Sequence, residues 1–369
     1  MKTRIHTLGA TALLALMVLS MGGPQRAAAQ GESAVPFLLI APTSRYGGVG
    51  ETGAGWADDN SAIFYNPGAL AFLDGHEISL THTNWLPQFN LPDLFYDHLN
   101  YRQRIDAISG TVSASVTYLN LGEFNVTNSS GPEVVDKFKS FEYAITAGYA
   151  TRVWEELGLG FNLRFIHSAL SPIGTEQEQG NGIASTVSFD VAFMYRPDSN
   201  SSDLWRRFSA GLNLSNVGPK VTYVDADQAD PLPTNLRIGV GYRLLDDEYN
   251  SLQLAADASR LLVRRREDGT SDEFYEAVAT AWGDGSGLGK VIWSAGAEYW
   301  YGAPRLIALR LGYFHESAQY GNRQFLTFGA GIRYDLYGFD FSYISASSDH
   351  PLSDTIRFSL LIAWGGSQL

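Results

Sequence analysis

Beyond residue 75 the chain alternates apolar and polar positions with a period of two, and the alternation recurs in segment after segment. Ile108, Gly110, Val112, Ala114, Val116 and Tyr118 interleave with Ser109, Thr111, Ser113, Ser115 and Thr117. Val187, Phe189, Val191, Phe193 and Tyr195 interleave with Ser188, Asp190, Ala192 and Met194, and the last segment sets Ile356, Phe358, Leu360, Ile362 and Trp364 against Thr355, Arg357 and Ser359. Successive side chains of a strand point to opposite faces, so the pattern predicts strands with one apolar face each. They fall near 75–86, 91–102, 107–124, 138–153, 155–168, 183–197, 205–218, 233–245, 250–263, 291–302, 304–316, 322–335, 337–346 and 353–364, about fourteen in all. From the third strand onward, long connections (125–137, 169–182, 219–232, 264–290) alternate with tight ones at Trp154, Leu245 to Tyr249, Ala303 and Leu336. That is the loop pattern of an antiparallel transmembrane barrel, with the long loops outside and both termini periplasmic. Asp272 to Ala281 is the candidate for a short helix in the largest loop.

A soluble β-sandwich alternates too, and the polar face separates the two. A solvated sandwich face is ordinarily rich in Lys and Glu, whereas here it carries Gly, Ser and Thr with charges placed singly. This suits the wall of a filled lumen. Arg164, Arg237, Arg243, Arg310, Arg333 and Arg357 fall on that face, as do Glu142, Asp190, Asp257, Glu298 and Asp340. Charges withdrawn from water need partners, so an ion-pair network holding an inner segment against the wall is expected; a polar path for a solute is the alternative.

The stretch Phe37 to Leu73 has no sustained period and is rich in Gly and small residues, which predicts a hatch folded inside the barrel. The expected division is residues 1–29 as signal peptide, 30–74 as hatch and 75–369 as barrel. Gly48, Gly50 and Gly53 match GxGxxG, but no amphipathic helix or βαβ unit follows, so they are read as tight packing rather than nucleotide binding. Asn60, Asn66 and Pro67 are further hatch residues. Lys2 and Arg4, the apolar run Leu8 to Leu19 and Ala27-Ala28-Ala29 make the signal peptide.

Composition narrows the function. Aromatics make up 13% of the residues, with 19 Tyr, 20 Phe and 8 Trp, a balance suited to interfacial girdles. The net charge of −13 argues against nucleic acid as a partner. There is no Cys, which removes disulfides and thiolate metal sites. No pair among His76, His82, His98, His167, His315 and His350 has metal-ligand spacing, and no GxSxG occurs. No metal, cofactor or catalytic residue is therefore expected.

Longer blocks carry a family resemblance. VPFLLIAPTSRYGGVGETG, FYNPGALAF, LNLSNVGPKVTYVD, PLPTNLRIGVGYRLLDDEYNSLQLAADASRLLV and YGNRQFLTFGAGIRYDLYGFDFSYI, in this order, resemble the PorV/PorQ family of FadL-like outer-membrane barrels. The sequence departs from that family at Gly68-Ala69, where Ala-Lys is expected. The resemblance implies a fourteen-stranded barrel with an N-terminal hatch, no catalysis, and a carrier role in type IX secretion. Such a carrier takes cargo by its C-terminal signal domain from the translocon barrel and passes it to a surface-attachment sortase. Asp225, Asp227 and Asp230 form a candidate acidic rim for cargo, with ordinary loop solvation or cation bridging to outer-membrane lipid as the plainer reading. Two other functions stand beside it. One is passive transport of hydrophobic molecules, using an apolar pocket lined by Phe37 to Ile40 and Ile63 to Tyr65; the other is lipopolysaccharide deacylation, for which no spacing identifies a nucleophile.

Overall fold

The computed structural model describes residues 33–366 except 90, 92, 128–132, 172–180, 199, 225–227 and 267. The expected signal peptide lies outside the described residues. Fourteen strands form a closed antiparallel barrel: β1 (His76–Asn84), β2 (Phe95–Ile105), β3 (Gly110–Thr127), β4 (Val134–Trp154), β5 (Leu157–Ser171), β6 (Gly182–Tyr195), β7 (Phe208–Val217), β8 (Asn235–Asp246), β9 (Asn250–Leu261), β10 (Val291–Tyr301), β11 (Ile307–His315), β12 (Gln324–Tyr334), β13 (Tyr337–Ser345) and β14 (Ile356–Trp364). Each strand pairs with its sequence neighbours, and β14 closes on β1 with Leu80 opposite Leu360 and His76 opposite Trp364. Closure gives each strand a paired neighbour on both sides, which an all-strand structure in a bilayer requires.

The two faces differ as the alternation predicts. Leu163 is 63% exposed, Leu309 59% and Leu360 60%, all pointing outward, while Thr81, Thr327 and Ser342 are fully buried on the inner face. Only a lipid environment makes such an outer surface stable. Aromatic rings gather at two levels. At the long-loop end Tyr118 lies 6.0 Å from Phe95 and 6.0 Å from Phe141, and at the tight-turn end His76 stacks on Trp364 at 5.2 Å. These rings suit the two polar–apolar boundaries of a membrane.

The connections divide by end. Asp247 to Tyr249 and Asp335-Leu336 are tight turns; the loop between β9 and β10 is longest and carries the helix Phe274–Thr280. The connection between β6 and β7, long for a periplasmic turn already on the strand limits read from sequence, carries a helical turn at Asp203–Arg206. β6 pairs with β7 only from Phe189 to Tyr195, and the pairing is interrupted where Asn216 takes a positive φ of 59°. Gly182 to Ser188 pair with β5 on one side but have no β7 partner on the other, where the chain after β7 runs instead.

Residues 34–73 are mostly buried, and they contact the inner face of the wall. Short helical turns at Ser44–Gly47 and Ala62–Tyr65 pack Tyr46 on Trp56 (5.4 Å) and on Tyr65 (4.7 Å), giving the segment its own small core. The wall receives it with glycines. A Cβ on Gly211 would stand 1.8 Å from the Ala54 carbonyl oxygen, and one on Gly312 would stand 2.0 Å from the Gly50 nitrogen. Gly in a strand interior weakens the strand, so its presence here follows from close backbone approach.

Gly211→Val is expected to push Ala54 and Gly55 off the wall, at a cost of roughly 1–3 kcal/mol for overpacking. The check is limited trypsin digestion of the purified barrel: cleavage at Arg45, buried in the native protein, should appear in the variant, and unchanged resistance would contradict this seating.

Candidate functional site

The lumen is crossed by a layer of charge. Glu298 on β10 lies opposite Arg310 on β11 in the strand register, and Arg310 Nε donates to Glu298 Oε2 at 2.7 Å. Arg310 Nη1 donates to Asp340 Oδ1 at 2.7 Å, and Arg333 Nη2 to Asp340 Oδ2 at 2.7 Å. Arg45 of the N-terminal segment joins this layer: its Nε and Nη2 donate to the two Glu298 oxygens at 2.8 and 2.6 Å. On its other side Arg45 meets Asp58 at 2.7 Å and Asp59 at 3.0 Å. Trp300 Nε1 donates to Glu298 Oε1 at 2.7 Å, and its ring lies within 5.1 to 6.0 Å of the guanidinium carbons of Arg333, Arg310, Arg305 and Arg45. Glu298 therefore serves two guanidiniums and an indole at once. Buried charges at this density persist only when each is paired and hydrogen-bonded.

Other inner-face residues hold the segment by its backbone. Asp257 Oδ2 accepts the amides of Gly53 (2.8 Å) and Ala54 (3.0 Å), and Thr327 Oγ1 accepts that of Gly50 (2.8 Å). Asn66 donates to the carbonyls of Ala54 and of Phe193 on β6, and its oxygen accepts the Gly68 amide as Pro67 opens a 3₁₀ turn. Asn60 bonds Ser79 on β1, and its amide reaches Glu77. Gly48 lies against Gly329, Gly50 with φ 73° lies against Tyr313, and Gly53 lies against the Tyr65 ring.

Several sequence expectations need correcting or extending. Arg164 pairs with Asp190 at 2.8 Å, and Arg357 with Glu51 at 3.3 Å, but Arg237 has a carbonyl partner, Glu51 O, and lies over the rings of Phe64 and Tyr65. Asp257 bonds backbone amides rather than an arginine. Arg243 is outside the network: it sits at the tight-turn rim and pairs with Asp246 at 3.2 Å, because its strand position is too near the hairpin to reach inward. Glu142 is on the inner face but accepts from Ser168 Oγ (2.8 Å) and meets no cation among the described residues. Asp225 and Asp227 lie outside the described residues, and Asp230 is tied to the next long loop through Arg265 at 2.8 Å. Arg45, Asp58, Asp59, Glu51 and Trp300 were missed, as was the pair Arg102–Glu77 at 3.0 Å. Period two on β1 and β2 puts Glu77 and Arg102 on the inner face, so that pair had a signal; Arg45 had none.

Above the charged layer, at the long-loop end, a cavity of about 650 Å³ opens. Phe37, Leu39 and Ile40 of the segment line it with Leu119 and Leu121 of β3, whereas Ile63 and Tyr65 are packed within the segment core instead. Glu51, Glu142, Tyr223, Arg323 and His350 are among its polar groups. Burial, together with the Glu142 and Asp230 charges and against the Ser168 hydrogen bond, pushes the Tyr223 hydroxyl up to about 12, so it stays protonated and donates to Ser168 Oγ at 2.9 Å. Burial and the nearby Arg323 hold His350 below its ordinary value, leaving it neutral at pH 7.

Glu298→Gln removes the charge shared by Arg45 and Arg310 and should destabilise the barrel by about 3–5 kcal/mol, the usual cost of orphaning a buried ion-pair partner. A lowered midpoint in guanidinium unfolding of the detergent-solubilised protein is the expected reading; an unchanged midpoint would mean that the layer contributes nothing.

Comparison with known proteins agrees with this architecture. The P. putida toluene transporter TodX is similar in structure at a TM-score of 0.51 and 11% identity, over 87% of this chain and 96% of that one. A second structure of the Pseudomonas putida toluene transporter TodX gives 0.50 and 12%, over 86% and 95%. A Pseudomonas aeruginosa FadL homologue gives 0.47 and 12%, over 88% and 98%. At these identities the likeness speaks to fold alone. No curated protein matches the sequence. The family model described as "Type IX secretion system protein PorV" matches residues 25–268, more than half of the 369-residue chain. The chain belongs to the PorV family of type IX secretion proteins.

Proposed function

We propose that the protein is a non-enzymatic carrier that binds exported proteins by their C-terminal signal domains, takes them from the translocon barrel and delivers them to the surface-attachment sortase. Family membership makes it an outer-membrane component of the type IX system and a partner of that secretion machinery. The observation that carries the finer reading is the lumen: residues 34–73 fill it, and Arg45 ties them to Glu298 in a buried layer, so the barrel is better suited to present a surface than to conduct. In this reading the segment is a hatch, the tight turns face the periplasm and the long loops face outward, where the cavity beside Phe37 is open to a docking domain.

Passive transport of hydrophobic molecules is the second reading. It is favoured by the apolar lining of that cavity and by the short pairing of β6 with β7, which leaves Gly182 to Ser188 beside a loop. The charged layer beneath the cavity weighs against it.

Purification of the tagged protein from detergent-solubilised outer membranes, in cells whose attachment peptidase is disabled, separates the two. The carrier reading expects exported proteins with intact C-terminal domains and a very large barrel to be recovered together with it. A barrel recovered alone with bound hydrophobic small molecules would overturn that reading.

A further inference from the structure

Glu142 is the one charged group on the wall of the long-loop cavity whose pairing within the described residues is incomplete. Strand register sets Tyr96, Leu119, Glu142, Ser168 and Ala184 side by side across β2 to β6, so a carboxylate stands in the middle of an otherwise apolar or neutral row. The other charged side chains lining the cavity are neutralised: Glu51 meets Arg357 at 3.3 Å, and Arg323 meets Glu316 at 2.7 Å. Glu142 is 4% exposed and receives one neutral hydrogen bond, from Ser168, which is itself held by the protonated Tyr223 hydroxyl. The stretches 128–132 and 172–180 contain no Lys or Arg in sequence. A nearly buried carboxyl without a cation is costly as the anion and is favoured as the neutral acid until a cation joins it, and it lies against a cavity of about 650 Å³, a size that admits a small ligand or the tip of a peptide loop.

We propose that this cavity receives a Lys or Arg side chain carried on an apolar loop of the exported partner, with the cation paired to Glu142 and the stem laid against Leu119 and Phe37. The proposal rests on the carrier reading for the identity of the partner, and it adds the chemistry of recognition. Charge complementarity selects the occupant: a cation on an aliphatic or aromatic stem satisfies both the carboxylate and the apolar wall, whereas a fatty-acid carboxylate meets Glu142 with like charge. The Tyr223–Ser168 chain orients Glu142 toward the cavity, and His350, neutral at pH 7, adds no competing positive charge.

The cavity chemistry is tested without cargo. Benzamidine and benzamide have the same ring and differ in charge, and binding of each to the barrel in lipid nanodiscs is followed by ligand-observed NMR. Wild type should bind benzamidinium roughly tenfold more tightly than benzamide, from one charge-assisted contact. Glu142→Gln, a shape-conserving change, should erase the preference, and so should Leu119→Lys, which puts a cation in the neighbouring register position; each variant is first checked for a folded barrel by heat-modifiable electrophoretic mobility. Absence of preference in wild type, or a preference unchanged in folded Glu142→Gln, would overturn the proposal. Recovery of cargo with wild-type protein reports separately on the carrier reading: if cargo is recovered and Glu142→Gln retains as much of it, the cation site is wrong while the carrier stands, and if none is recovered with wild type, the carrier reading fails whatever the amidine shows.

Discussion

Arg45 is the point at which an irregular segment and a regular barrel become one structure. Its guanidinium spans Glu298 of β10 and the carboxylates Asp58 and Asp59 of its own segment, and Glu298 is in turn shared with Arg310, which passes the charge on to Asp340 and Arg333. Apart from Asp58, which borders the recess at the tight-turn end, none of these groups can exchange its partner for water without opening the lumen, so removing one member leaves a buried charge unpaired. Everything else about the interior follows from that constraint. The wall glycines allow the segment backbone to approach, and Asp257, Thr327 and Asn66 satisfy amides and carbonyls that an irregular segment would otherwise leave unpaired.

The barrel was legible because two-residue periodicity is a direct physical consequence of strand geometry. Each of the fourteen expected segments overlaps one strand, with ends displaced by up to four residues, and the polar inner face announced a filled lumen. Partners were less legible. Inner-face parity placed Arg310, Arg333, Asp340 and Glu298 on the same surface, but which carboxylate meets which arginine depends on stagger between strands, which no single strand encodes. Arg243 has the right parity and the wrong height. Arg45, Asp58 and Glu51 lie in a stretch without period, where position along the chain gives no direction for a side chain. Glu142 was read as one member of a network, yet its row neighbours are Leu119 and Ser168, and only the register shows that no arginine stands beside it.

The molecule is layered along its axis. A polar recess bordered by Asp246, Asp247 and Arg305 lies at the tight-turn end, the ion-paired layer fills the middle, and an apolar cavity whose Glu142 meets no cation among the described residues lies at the long-loop end. The two TodX barrels of similar fold are described as toluene transporters, and a shared fold does not by itself fix a task. In the carrier reading proposed above, the middle layer favours holding over passage, and the cavity above it is where a held partner would gain specificity.

Ion conductance of the reconstituted barrel in planar lipid bilayers tests the central claim most directly, that the segment pinned by Arg45 seals the lumen. Wild-type protein should give no steady conductance above the lipid background. A stable open level comparable to that of a water-filled barrel of this strand number would contradict the sealed lumen.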